Sequence, residues 1–277
     1  MALASGTLPA SSSPEAAPSA PHAWLPAGTA VSEDDTLAAR FAPPAGFVRE
    51  PTAAGSFAAW LRALPLKPAG SPVLLHSGTP KWSQTGHAAV VDIDTGEENL
   101  QQCADAIMRL RAEWQWAAGR PDAIGFLYTG GRRVAWSRWA RGERPNDKGT
   151  AWRRAGAADA SYTALRRYLR HVYTYAGTYS LERELVPSKE ADQPDIGDVI
   201  VMGGFPGHAV LVADVVIEPL TSARRFLLVQ SYMPAQDIHV LKDPASPDGS
   251  PWFSAPIAWP LATPDWVFPA GSLKRWP

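Results

Sequence analysis

The chain has 277 residues, a formal net charge of −1, 45% hydrophobic and 19% charged residues. Nucleic-acid and anionic-membrane binding rest on clustered Lys and Arg, and the basic residues here form only short pairs such as Arg132–Arg133 and Arg153–Arg154, which excludes both as the main activity. One cysteine, Cys103, excludes an intrachain disulfide framework and any zinc site built on several cysteines.

Residues 1–30 are rich in Ala, Ser and Pro and too poor in large apolar groups to fold alone, so they read as a disordered tether. Met1–Pro26 carry neither a basic n-region nor a long apolar h-region and do not read as an intact secretory signal. Residues 31–277 read as a single α+β domain. Ser56 caps a short helix over Phe57, Trp60, Leu61 and Leu64, which Pro65 stops. Pro72–His76 and His87–Asp94 are strand candidates ended by Gly78 and Gly96.

The clearest helix follows, because Leu100, Cys103, Ala104, Ile107, Leu110 and Trp114 recur at three- and four-residue spacing, with Arg109, Arg111 and Glu113 off that stripe. Its cap is either Thr95, in a capping-box pattern with Glu98, or Asn99. Asn99 would put Cys103 near the first turn, where free N–H groups lower a thiol pKa; Thr95 would bury it a turn deeper. Ala123–Tyr128 is a short strand, 141–158 a loop, and Tyr162–Tyr175 a second helix. Asp198–Met202, His208–Ile217 and Phe226–Tyr232 are strands. Asp198–Glu218 is the most apolar stretch, but Gly203-Gly204, Pro206-Gly207, His208 and Asp214 interrupt it, so it reads as core and not as a membrane span. Helices early and strands late indicate segregated α+β.

Two apolar strands meet at a Gly/Pro turn, and His208 opens the second of them, where it can serve as a base or cap the turn. A period of two puts His208, Val210, Val212 and Asp214 on one face. Gln230-Ser231 ends the next strand and can orient the imidazole. Cys103 is either a buried core thiol or a nucleophile. A cysteine at a helix start, a histidine on a strand and a polar residue on the next strand follow the logic of a cysteine hydrolase. His239 with Asp237, and His208 with Asp214, lack metal-site spacing, and no cofactor motif is present, so neither metal nor cofactor is expected. Lys81 and Gln84 lie in a Gly/Pro-flanked loop, at the surface or against substrate. The Trp-rich regions 114–116, 136–139 and 252–266 anchor the core or stack on sugars.

Several long strings resemble the bacterial family known as domain of unknown function 4846, over about Phe57 to Trp276. They are Trp60-Leu61-Arg62-Ala63-Leu64-Pro65-Leu66, Asn99-Leu100-Gln101-Gln102-Cys103-Ala104-Asp105-Ala106, Gly203-Gly204-Phe205-Pro206-Gly207-His208-Ala209-Val210 and Gln230-Ser231-Tyr232-Met233-Pro234-Ala235-Gln236-Asp237. That family implies no activity. Gly197-Asp198, with Gly207-His208-Ala209-Val210 after an apolar run, is similar to the histidine strand of the NlpC/P60 and amidase relatives of papain. Gln230-Ser231-Tyr232 resembles the Asn-Ser-Trp of papain.

This second resemblance implies a papain-like fold, with helices packed on a mainly antiparallel sheet. It makes Cys103 the nucleophile, His208 the base and Gln230 the orienting residue. It sets Ser231 and Tyr232 on the substrate side, with Gln84 standing in for the oxyanion glutamine that Glu97 replaces. The Asp-Cys-Ser-Gly context of NlpC/P60 is absent, since Gln102 and Ala104 flank Cys103. By analogy the substrate is a peptide, as in peptidoglycan, and the location is the cell envelope or periplasm. The alternative is a non-catalytic peptide- or glycan-binding module on the same fold.

Overall fold

The computed structural model describes residues 22–26 and 28–277; residues 1–21 and 27, most of the expected tether, lie outside the described residues. Within residues 22–26, Trp24 donates its indole N–H to the Asp92 carbonyl at 2.7 Å, and its ring meets Trp60 edge-on.

Several helices start where a hydroxyl takes an orphan N–H. Thr36 caps α1 (Leu37–Arg40) and Ser56 caps α2 (Phe57–Arg62). After β1 (His87–Val90) comes α3 (Cys103–Ala117). Two short hairpins, β2 (Gly125–Leu127) with β3 (Arg133–Ala135) and β4 (Glu143–Pro145) with β5 (Trp152–Arg154), flank α4 (Trp136–Ala140). The second hairpin occupies the stretch expected as loop. Asn146 closes it by accepting the Thr150 and Ala151 N–H groups at 2.9 and 3.3 Å. Ser161 caps α5 (Tyr162–Tyr175), and α6 (Thr178–Glu184) is the last helix. Strands β6 (Val186–Pro187), β7 (Val199–Met202), β8 (His208–Ile217), β9 (Arg224–Gln230) and β10 (His239–Leu241) follow. The chain closes with β11 (Phe253–Ala255), β12 (Leu261–Ala262), β13 (Val267–Phe268) and β14 (Leu273–Arg275). The expected strand at 72–76 makes only isolated bridges, Leu74 to Pro80 and Leu75 to Gln236.

The architecture is mixed α+β. An eight-stranded sheet runs β1-β10-β9-β8-β7-β14-β6, with β11 also on β9, and every pairing in it is antiparallel. Both faces of β8 are covered, which is why its sequence reads as nearly continuous apolar residues. Ala209, Leu211 and Ala213 join the helices in one core. Val210 and Val212 join Ile200, Phe226, Leu228 and Phe268 in another. No helix of the described residues is long and apolar enough to cross a membrane.

One sequence expectation fails for a local physical reason. The β8–β9 register shifts between Val212 and Asp214, and one extra residue breaks the period of two. Asp214 therefore leaves the His208 face and is buried against Arg49 Nε and Arg62 Nε, both at 2.7 Å. On α3, Arg109 and Glu113 lie off the apolar stripe and yet are buried, because α5 covers that side and Tyr162 donates its hydroxyl to Glu113 at 2.7 Å.

Candidate functional site

Neither Thr95 nor Asn99 caps α3. Asn99 Oδ1 instead accepts the Ala235 N–H at 2.7 Å. Gln102 is the N-cap, with extended backbone, and its N–H donates to the Asp105 carboxylate at 3.1 Å. Cys103 is thus the first helical residue, nearer the free N–H end than either expected cap would set it. Main-chain N–H groups of Ala104, at the helix start, and of Ala209, on β8, act on its sulfur. Those donors favour a thiolate. Cys103 keeps part of its surface, yet burial, then the nearby Asp105 carboxylate, outweigh the donors and push the thiol up to about 12.

His208 opens β8 opposite Met202. Its Nε2 lies 2.7 Å from Gln230 Oε1 at the end of β9. The Gln230 amide nitrogen donates to Asp265 Oδ2 at 2.6 Å and to His239 Nε2 at 3.3 Å. With both amide hydrogens used, Gln230 meets His208 through an oxygen that can only accept, so His208 Nε2 carries the hydrogen and Nδ1 holds the basic lone pair. His239 is fixed the same way, Nδ1 donating to the Asp237 carbonyl at 2.8 Å. Lys81 Nζ closes the chain on Asp265 Oδ2 at 2.7 Å. Lys81 is 8% exposed, an internal cation and not a surface residue.

Tyr232, Trp266 and Phe268 enclose the His208 ring at centroid distances of 4.9, 5.6 and 5.7 Å. That burial pushes the imidazole down to about 4, and the Gln230 hydrogen bond recovers only part of the loss. The His239 imidazole, fully enclosed, falls to about 3.

The acid limb of stability follows from these two groups. Both imidazoles are neutral in the folded chain at neutral pH, while the unfolded chain takes up protons below the ordinary value of 6.5. Stability is therefore lost as pH falls from 6.5, and the His208 contribution stops changing below about 4. Between about pH 7 and pH 5 each imidazole contributes about 2 kcal/mol of loss. Urea unfolding of His208→Gln should show a shallower slope over that range; a slope as steep as that of the native chain would refute the assignment.

The structure brings His208, Gln230 and Tyr232 together. Tyr232 donates to the Asp265 carbonyl at 3.3 Å. Its phenol is pushed up by burial, then by Asp265, then by Cys103, so the sulfur lies within electrostatic reach of it. Ser231 is buried, its hydroxyl between the carbonyls of Gln236 at 2.8 Å and Gln101 at 3.2 Å, and it pins the segment before α3 to the end of β9. Gln84 spends its amide on its own loop, accepting from Val73 N–H at 2.9 Å and donating to the Val73 and Lys81 carbonyls. Ser231 and Gln84 thus act on the backbone.

Asp265 and Lys81 belong to the His208 network and were not assigned to it from sequence. Asp265 sits in the Thr263-Pro264-Asp265-Trp266 turn, with no spacing that ties it to His208. The Asp237 carboxylate is taken by Lys67 Nζ and the Leu74 N–H, each at 3.0 Å. Among the described residues no group of three or more His, Cys, Asp or Glu side chains could hold a metal ion.

Comparison with known proteins gives one match, a family model described as domain of unknown function (4846), over residues 37–275. No curated protein and no solved structure matches.

Proposed function

The chain belongs to the family described as domain of unknown function 4846, and we propose that it is a cysteine hydrolase acting on amide or ester bonds, with Cys103 as nucleophile, His208 as base and Gln230 as the residue that holds the imidazole. One observation carries this reading. Gln230 Oε1 engages His208 Nε2 at 2.7 Å and leaves Nδ1 as the basic nitrogen, on a ring set edge-on to Tyr232 at 4.9 Å, and the Tyr232 phenol in turn feels the Cys103 sulfur. The order of a helix-start cysteine, a strand histidine and a polar residue on the next strand supports a papain-like arrangement.

With the thiol pushed up to about 12 and the imidazole down to about 4, both are neutral at rest. The thiol proton therefore moves to His208 Nδ1 as the sulfur–carbon bond forms and the carbonyl oxygen becomes an oxyanion. N–H groups at the α3 N-terminus stabilise that oxyanion. The imidazolium then protonates the departing amine or alcohol as its bond to carbon breaks. Water, deprotonated by His208, hydrolyses the thioester and restores the thiol. The likeness of the His208 strand to NlpC/P60 relatives supports a cell-wall peptide substrate and an envelope location, by fold-level analogy.

The second reading is a non-catalytic peptide- or glycan-binding module. The same two shifts favour it, since both side chains are held away from their charged forms. So do the exposed apolar side chains of Trp82, Phe205 and Met233, each within one or three residues of the Lys81, His208 or Tyr232 just described.

An activated aryl acetate separates the readings without a known substrate. The native protein should gain one acyl group, mapped to Cys103 by mass spectrometry, and Cys103→Ala should gain none there or elsewhere at a comparable rate. Equal labelling of native protein and Cys103→Ala, confined to lysines, overturns the enzyme reading.

A further inference from the structure

The far end of α3 from Cys103 carries a second constellation. Arg111 and Trp114 line a cleft of about 310 Å³ together with Arg120, Arg133, Glu184, Trp276 and Pro277. Among the side chains, three guanidinium groups face one carboxylate, and that carboxylate is already used. Glu184 pairs with Arg133 and accepts the Leu127 N–H at 2.9 Å. Among the described residues, Arg111 and Arg120 have no carboxylate at ion-pair distance.

Both cations nevertheless converge on one indole. The Arg111 and Arg120 guanidinium carbons lie 4.4 and 4.3 Å from the Trp114 ring centroid, and Arg111 also lies 5.1 Å from Phe57 and 5.2 Å from Trp276. Aromatic faces hold a cation but do not cancel the repulsion between two. Burial, then Arg120, push the Arg111 guanidinium down to about 10.

Hydrogen bonding points the same way. Arg111 Nε and Trp276 Nε1 are buried and have no acceptor among the described residues. Guanidinium and indole groups donate and never accept. A site made of unpaired donors and unneutralised cations is complemented by a group that only accepts and carries negative charge, and planar guanidinium donors match oxyanions best.

We propose that this cleft binds an oxyanion, the carboxylate or phosphate group of a ligand, between Arg111 and Arg120 and within reach of the Trp276 indole N–H. It stands apart from the Cys103 site and does not depend on the hydrolase reading.

The test uses the full chain labelled with ¹⁵N at tryptophan, titrated with sodium phosphate or sodium acetate at ionic strength held constant by sodium chloride. The Trp276 indole resonance, identified by its absence in Trp276→Phe, should shift saturably. Saturation by phosphate alone assigns a phosphoryl ligand, and saturation by acetate assigns a carboxylate. Arg120 is exposed, so Arg120→Gln should fold, and it should weaken the apparent Kd about tenfold. A shift reproduced by chloride, no saturable shift with either anion, or an affinity unchanged in Arg120→Gln would each overturn the proposal.

Discussion

His208→Ala is expected to slow acylation of Cys103 by an activated ester about 10²- to 10⁴-fold near neutral pH. The native thiol, pushed up to about 12, is almost wholly protonated there and needs a base beside it. His208 Nδ1 is that base in the proposed mechanism, because Gln230 fixes the hydrogen on Nε2. The pH profile makes the expectation specific. An imidazole pushed down to about 4 stays unprotonated from mildly acid to alkaline pH, so the native rate should be nearly flat across neutrality. The variant can react only through free thiolate, and its rate should climb about tenfold per pH unit. The two profiles should therefore converge toward high pH. His208→Ala also leaves the Gln230 oxygen without its donor and a gap among Tyr232, Trp266 and Phe268, so folded protein must first be verified by circular dichroism. Equal rates at neutral pH, with the fold intact, would remove His208 from the chemistry.

The parts of this site legible in sequence are those governed by short-range rules. The strands at 199–202 and 208–217 follow from apolar runs bounded by turn residues, and the helix at 162–175 follows from the spacing of Leu165, Tyr168, Leu169 and Val172. The start of α3 was not legible, because Thr95 and Asn99 are better capping types than Gln102. The Asn99 side-chain oxygen is instead taken by the N–H of Ala235, far along the chain, and by the Gln102 amide. The bulge at Val212/Asp214 depends on pairing with β9 and leaves no mark on the β8 sequence. Lys81 and Asp265, 184 positions apart, meet only once the sheet brings their loops to Gln230. Composition places a lysine outside by default, and it is the Asp265 carboxylate that makes burial of Lys81 tolerable.

That reasoning gives Arg109 the largest stability effect. Arg109 is fully buried and donates from Nε to Glu113 Oε1 at 2.7 Å, from Nη1 to Gln101 Oε1 at 2.8 Å, and from Nη2 to Asp94 Oδ2 at 3.0 Å. Glu113 is 1% exposed, and its other oxygen has no partner among the described residues. Arg109→Met would leave that carboxylate buried without its cation, and the expected loss is about 3–5 kcal/mol in urea unfolding near neutral pH. Asp94 suffers less, because it is half exposed and Arg166 still holds both its oxygens at 2.8 and 2.6 Å. Removing the stranded charge as well, in Arg109→Met with Glu113→Leu, should therefore recover much of the loss, even though Tyr162 loses its acceptor. A single variant losing under about 1 kcal/mol, or a double variant no more stable than the single, would contradict this account. The same arginine reaches the site through Gln101, whose side chain it holds and whose carbonyl faces the Ser231 hydroxyl two residues before Cys103. The double variant should thus regain stability faster than it regains Cys103 acylation, since Gln101 remains unheld in both.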